Sequence, residues 1–114
     1  MKYIVRPAVV HYLDELVAIL FEKKYFSYGE DALTYVEELL DDIYKDLPTK
    51  QKKPAPEYFE RYGTNMYYAL FRKSRKTSWY VLFRQYHENG ELVYQIRYIT
   101  NNHVSDAKYF NLKE

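Results

Sequence analysis

The chain of 114 residues has no cysteine and only three glycines. The lack of cysteine excludes a disulfide framework and a thiolate metal site, and it favours a reducing cytoplasm as the location. The glycine-rich phosphate loop, the His-Glu-x-x-His zinc motif and the nucleophile elbow are all missing from the sequence. Residues 1–25 carry charged side chains among the apolar ones, which argues against a signal peptide or a membrane span. We therefore expect a cytoplasmic protein with no membrane partner.

Tyrosine is unusually abundant, with 15 residues in the chain. Apolar residues make up 47% of the sequence and charged residues 29%, which is typical of a globular protein. The length predicts a single domain over residues 1–114 with one core. Tyrosine suits positions that are packed on one side and wet or bound on the other. The composition thus predicts a large amphipathic aromatic surface.

The formal net charge of +1 conceals a segregation of charge along the chain. Residues 1–49 carry five Lys/Arg against ten Asp/Glu, a net charge of −5. Residues 50–100 carry ten Lys/Arg against four Glu, a net charge of +6. One interpretation is a positive surface for a polyanionic or acidic partner. The other is that acidic helices neutralise a basic sheet within the molecule.

Two amphipathic helices are predicted in the first half, because apolar residues recur there at three- and four-residue spacing. The first helix covers about residues 8–24. Ser27 and Glu30 have the spacing of a capping box at the start of the second helix, and Pro48 ends it. The short connection between the helices predicts an antiparallel hairpin.

Period-two alternation predicts β-strands in the second half, with a further short strand at residues 2–5. The alternating runs are residues 66–73, 78–86 and 92–100. Asn89-Gly90 lies between the last two runs and predicts a tight hairpin turn, because both residues accept positive φ. The segment 48–65 is predicted to be a long loop with one helical turn near residues 57–62.

The element order β, α, α, β, β, β predicts an α+β fold. In this fold a short N-terminal strand and an antiparallel helical hairpin pack on one face of a mainly antiparallel sheet of three to four strands. The tail from Val104 to Glu114 is too short for an assignment. We see no internal repeat.

The three histidines, His11, His87 and His103, do not form a ligand cluster by their spacing, so no metal site is predicted. The carboxylate pairs of the second helix lie on its polar side and are interpreted as a solvated face. Neither group of residues predicts a catalytic centre by itself.

Cations and aromatic rings are expected to share the sheet face away from the helices. Arg84 and Arg97 are expected there with Tyr80 and Gln95. Four further cations extend this surface at its edge: Arg72, Lys73, Arg75 and Lys76. Guanidinium groups bind phosphates and tyrosine rings stack on unpaired bases, so the face suits single-stranded RNA or DNA. The alternative is a solvated face with snorkelling arginines and amphipathic tyrosines.

This order of elements resembles the RelE/ParE toxins of bacterial toxin-antitoxin systems. The resemblance covers nearly the whole chain, from Tyr3-Ile4-Val5 through the helical hairpin and the lysine- and proline-containing connector to the three β runs. The runs that carry it are residues 68–72, 78–83 and 94–99. The middle run looks like the family's tyrosine, arginine, leucine, valine, tyrosine strand. Order and spacing carry the likeness more than any single motif.

The resemblance implies an antitoxin protein as partner and one of two activities. One is cleavage of mRNA in the ribosomal A site without metal or another cofactor, and the other is inhibition of DNA gyrase. The residues implied in catalysis are His103, Arg84, Tyr80 and Tyr109. Those implied in nucleic-acid binding are Arg72, Lys73, Arg75, Lys76 and Arg97. His103 would act as acid or base, and the arginine often found early in the family's central strand falls at Tyr80.

Three hypotheses follow from the sequence. The first is a toxin-like endoribonuclease that acts on translation. The second is a non-nucleolytic member of the family, either a gyrase inhibitor or a degenerate toxin, whose basic surface is bound by an acidic antitoxin peptide. The third is a nucleic-acid or protein binding domain unrelated to toxicity.

Overall fold

The computed structural model describes residues 1–23 and 32–111 of the chain, and the predicted capping box of Ser27 and Glu30 lies outside them. Helix α1 spans Pro7–Glu22 and helix α2 spans Ala32–Asp46. Pro7 occupies the first helical position, where its missing N–H costs nothing. Both helices thus follow the predicted pattern of apolar residues.

The sheet has the strand order β1-β5-β4-β3-β2. Its strands are β1 Lys2–Val5, β2 Lys53–Pro54, β3 Tyr67–Ser74, β4 Thr77–Glu88 and β5 Glu91–Asn101. β1 runs parallel to β5, and the other neighbours are antiparallel. The predicted α+β fold is confirmed, with the N-terminal strand and the helical hairpin packed against a mainly antiparallel sheet.

The described part of the sheet has five strands, where the sequence predicts three to four. The additional strand, β2, lies in the proline-rich connector and pairs with only two residues of β3. The predicted helical turn in this connector is confirmed as the 3-10 helix Glu57–Tyr62, here named the connector helix. The described residues contain two further 3-10 helices: Leu47–Thr49 directly follows α2, and Ser105–Asn111, named the C-terminal helix, follows β5.

The main core lies between α1, α2 and one face of the sheet. The helices contribute buried side chains such as Leu13, Val17 and Leu39, which have no exposed surface. Trp79 on β4 is fully buried beneath them, and its indole N–H donates a hydrogen bond to the hydroxyl of Tyr35 on α2 at 3.0 Å. Trp79 therefore lies on the side of β4 that faces the helices.

The hairpin between β4 and β5 turns at Asn89 and Gly90, whose φ angles are +52° and +79°. Only residues that accept positive φ fit these positions. The sequence prediction of this turn is confirmed.

A β-bulge interrupts the pairing of β4 with β5. Leu82 pairs with Tyr98, whereas the next residue, Phe83, pairs with Ile96, so Arg97 has no partner of its own on β4. The strict alternation predicted for β5 is wrong after Arg97. The extra residue exchanges the two faces of the sheet towards which the following side chains point. Ile99 consequently packs in the main core.

The described residues contain no helix that is long and apolar enough to cross a membrane.

Candidate functional site

The face of the sheet away from α1 and α2, here named the outer face, is covered in its middle and open at its ends. A second core lies on this face and contains Phe59, Met66, Leu82 and Phe110. Phe59 belongs to the connector helix and Phe110 to the C-terminal helix, so these two helices cover the centre of the sheet. From the sequence, cations and tyrosines are expected to share this face, and the two short 3-10 helices, which are rich in aromatic residues, close part of it.

Tyr80, one of the residues implied in catalysis, lies under this cover. Its ring stacks on the ring of Phe110 with centroids 4.0 Å apart and planes 5° apart. Burial raises the pKa of Tyr80, with a smaller contribution from Tyr68. The ring face that would stack on a base is therefore occupied by a side chain of the same molecule.

Tyr109 is held in a stack of its own. Its ring lies parallel to that of Tyr58, with centroids 3.9 Å apart and planes 8° apart. The guanidinium of Arg61 lies 3.8 Å from the centre of the Tyr58 ring, and its Nε donates to the Tyr58 carbonyl at 3.0 Å. Tyr109 thus packs against the connector helix.

His103 lies in the turn after β5, where its backbone N–H donates to the side-chain oxygen of Asn101 at 2.8 Å. The neighbouring Asn102 accepts the backbone N–H of Ser78, at the start of β4. Arg84 is six residues further along the same strand, which corresponds to about 20 Å at the rise of a β-strand. His103 and Arg84 therefore lie towards opposite ends of the sheet and do not converge on one reacting atom.

Lys73 points towards the helices. Its Nζ lies 3.9 Å from Glu38 and 3.5 Å from Asp42, both on α2, and 5.4 Å from the centre of the Tyr35 ring. An irregularity in the pairing of β3 with β4 between Arg72 and Ser74 accompanies this position. The positive charge of Lys73 is therefore neutralised by carboxylates of α2 within the molecule, as the second interpretation of the charge segregation expects.

Arg72, Arg75 and Lys76 remain exposed at the turn between β3 and β4. They form no ion pair with a carboxylate among residues 1–23 and 32–111. This turn adjoins Asn102, whose side-chain amide donates to the Lys76 carbonyl at 2.9 Å. It is a basic surface at the His103 end of the sheet.

Three arginines come together at the other end of the outer face. Arg84 on β4 lies one position from the bulge and pairs with Gln95 on β5. Arg97 is the bulge residue of β5, and Arg6 directly follows β1, whose last residue pairs with the residue before Arg97. We name Arg6, Arg84 and Arg97 the arginine cluster.

Arg97 is the most enclosed member of the cluster. It is half-buried, and its Nε donates to the backbone carbonyl of Tyr62 at 2.8 Å. Gly63 follows at φ +152°, and a Cβ at that position would lie 3.3 Å from the Arg97 Nε. The guanidinium is thus held against backbone, with its two terminal NH₂ groups left for a ligand.

The cluster carries uncompensated positive charge. Burial lowers the pKa of Arg97, and the charges of Arg6 and Arg84 lower it further. None of the three arginines forms an ion pair with a carboxylate in the described part of the chain. The first turn of α1, which begins after Arg6, contains no acidic residue either. Repulsion between the guanidiniums is relieved when an anion binds between them.

Arg84 and Arg97 are among the residues predicted from sequence, whereas Arg6 is not. Arg6 joins them because β1 pairs in parallel with β5, and no local sequence signal specifies that pairing. Tyr86 lies on the same face as Arg84, two residues further along β4, and is half-buried. The arrangement can bind a phosphate group with an aromatic ring beside it.

The described residues contain no group of three or more His, Cys, Asp and Glu side chains that could hold a metal ion. Comparisons with known proteins give no match: no family model, no curated protein and no solved structure is similar to the chain. The likeness to the RelE/ParE toxins therefore remains a prediction from the order of elements.

Proposed function

We propose that the chain is a RelE/ParE-like, toxin-type protein of the cytoplasm that binds the phosphate backbone of a single-stranded nucleic acid through its arginine cluster. The observation that carries this proposal is the strand pairing that brings Arg6, Arg84 and Arg97 to neighbouring positions, without a carboxylate partner among the described residues. Guanidinium groups bind phosphates bidentately, and clustered positive charge supplies most of the affinity for a nucleic-acid backbone.

The order of elements supports the toxin-type assignment. A short strand, a helical hairpin, a connector and three antiparallel strands follow one another, as the resemblance requires. An acidic antitoxin peptide is the partner that this proposal includes, because an acidic peptide would neutralise the same cluster.

The non-nucleolytic form of the proposal is favoured over mRNA cleavage. Metal-independent cleavage needs an acid, a base and a cation around one phosphate. His103 and Arg84 lie towards opposite ends of the sheet, and Tyr80 is covered by Phe110. We therefore propose an inhibitor that binds mRNA on the ribosome and does not cut it, with inhibition of DNA gyrase as the alternative.

Induced expression in a bacterial host tests this proposal. The wild-type chain should arrest growth, and Arg84→Gln should relieve the arrest, because Arg84 is exposed and belongs to the arginine cluster. The matched control is Lys45→Gln, which removes one charge from the exposed surface of α2 and should leave the arrest intact. Absence of arrest with the wild-type chain contradicts the toxin-type assignment.

A transcript assay on translating ribosomes separates the two toxin hypotheses. We expect no cleavage by the wild-type chain during growth arrest. If the wild-type chain cleaves the transcript and His103→Ala abolishes this cleavage, the non-nucleolytic form is wrong and the endoribonuclease hypothesis is supported. The antitoxin part is tested on the reading frame next to the gene of this chain. If that frame encodes a small acidic protein, its co-expression should restore growth, and growth arrest that persists would contradict the antitoxin part.

A further inference from the structure

The arginine cluster holds more positive charge than one phosphodiester neutralises. Strand pairing brings Arg6 and Arg84 to positions next to Arg97, which is held by the Tyr62 carbonyl. None of the three has a carboxylate counterpart among the described residues. A phosphodiester within a strand carries one negative charge. A terminal phosphomonoester carries between about 1.5 and 2 negative charges at pH 7, because its second pKa is about 6.

The position of Arg97 also favours the end of a strand over its middle. Arg97 is half-buried against the backbone of Tyr62 and Gly63, whereas Arg6 and Arg84 are exposed at the rim. A phosphate inside a strand is flanked by a nucleotide on each side, which hinders its approach to a recessed guanidinium. A terminal phosphate presents three oxygens with a nucleotide on one side only.

The neighbouring side chains fit the nucleotide that follows such a phosphate. Gln95 lies directly across from Arg84 and offers an amide donor and an acceptor. Tyr86 lies beyond Arg84 on the same face and offers a ring for base stacking. A terminal phosphate between the arginines would place its nucleotide towards Tyr86.

We propose that the arginine cluster is a binding site for the terminal phosphomonoester of a single-stranded nucleic acid, with Arg97 at its base and Arg6 and Arg84 at its rim. This inference rests on the proposed binding of nucleic acid and specifies which part of the strand is bound. It adds Arg6 to the site and assigns Arg84 to binding the terminal phosphate.

The test uses the full chain and one short oligoribonucleotide sequence in forms with a 5′-hydroxyl, a 5′-phosphate or a 3′-phosphate. Fluorescence anisotropy gives the dissociation constant of each form. A phosphorylated end should bind about tenfold more tightly than the hydroxyl form, the equivalent of one hydrogen bond to a charged group. Arg84→Gln should abolish this preference, and Lys45→Gln should retain it.

Arg84→Lys is the conservative variant. It keeps the charge and removes the fork of donors, so it should retain part of the preference. Circular dichroism and the fluorescence of the buried Trp79 verify that each variant is folded. Arg84 makes no hydrogen bond or ion pair to another described side chain, so its substitution should leave the fold intact.

Each other outcome overturns a defined part of the proposal. Equal binding of all three oligoribonucleotides rejects the terminal phosphate and leaves the proposed function standing. No binding of any form rejects the proposed function as well. If Arg84→Gln still binds the phosphorylated end more tightly than the hydroxyl form, the arginine cluster is rejected as the binding site. If adenosine 5′-monophosphate at equal concentration displaces the phosphorylated oligoribonucleotide, the site is assigned to free nucleotides.

Discussion

Asp106 illustrates how a single buried carboxylate fixes the C-terminal helix on the sheet. It is 8% exposed and accepts hydrogen bonds from the hydroxyls of Tyr98 at 2.6 Å and Thr100 at 2.7 Å. Both donors belong to β5, and Asp106 belongs to the first turn of the helix. Burial of a carboxylate is costly unless its oxygens are hydrogen-bonded, and here each oxygen has a hydroxyl donor.

Asp106→Asn should lower the free energy of unfolding by about 1–3 kcal/mol, because the amide nitrogen cannot accept a bond and leaves one hydroxyl without its acceptor. Urea denaturation followed by the fluorescence of Trp79 measures the change. Asp14→Asn, on the exposed surface of α1, is the matched control and should have little effect. Equal losses in the two variants would contradict the role given to Asp106.

At the scale of elements, the C-terminal helix and the connector helix build a second core from few residues. Phe110 is 8% exposed and stacks on Phe59 at 4.7 Å and on Tyr80 at 4.0 Å between ring centroids. A 3-10 helix of seven residues has little stability of its own. Its place on the sheet therefore depends on these aromatic contacts and on Asp106.

Phe110→Ala should lower the free energy of unfolding by about 3 kcal/mol, the lower part of the range for removing a buried phenylalanine. Phe110 lies at the edge of the second core, where it is 8% exposed, so part of the space can close. Thermal or urea unfolding provides the measurement. Leu33→Ala, at a side chain that is 65% exposed, is the control, and the prediction fails if both variants are equally stable.

Local chemistry explains which elements could be predicted from the sequence. The helices follow from apolar spacing, and the β4–β5 hairpin follows from Asn89-Gly90, because each signal lies within a few neighbouring residues. The bulge at Arg97 and the parallel pairing of β1 depend on contacts between distant segments. The arginine cluster could be predicted only in part for the same reason, since Arg6 is about ninety residues away from Arg97 in the sequence.

The second core could not be predicted from the periodicity of apolar residues either. The connector helix and the C-terminal helix are too short to show a 3.6-residue repeat, and their aromatic residues do not specify which face they cover. Tyr80 was expected on an open surface because nothing local indicates that Phe110 covers it.

At the scale of the whole molecule, the tyrosines link stability to alkaline pH. Burial is the leading cause that raises the pKa of five of them, and for Tyr98 a hydrogen bond to Asp106 adds to it. The five are Tyr3, Tyr12, Tyr80, Tyr94 and Tyr98. The ordinary pKa of a tyrosine hydroxyl is about 10. Because the pKa values of these hydroxyls are raised in the folded state, the same groups lose their protons first in the unfolded chain as the pH rises through about 10.

The free energy of unfolding should consequently be insensitive to these groups below pH 9 and fall steeply above about pH 10. Urea denaturation at a series of pH values measures the slope. Tyr98→Phe should make the slope shallower, because it removes the group with the most strongly raised pKa. Tyr67→Phe, at a side chain that is 42% exposed, is the control. A slope unchanged by Tyr98→Phe would contradict this linkage.

The short strand β2 bears on how the protein behaves at high concentration. An exposed strand edge is a template on which a second copy can add its own strand, and a long flat edge leads to aggregation. β2 spans only Lys53–Pro54, where the proline lacks an N–H and the lysine carries charge. β3 continues beyond it, and its pairing with β4 is irregular between Arg72 and Ser74, which makes a flat, regular edge less favourable. On the β2 side, the sheet thus ends in an edge that resists the growth of β-aggregates.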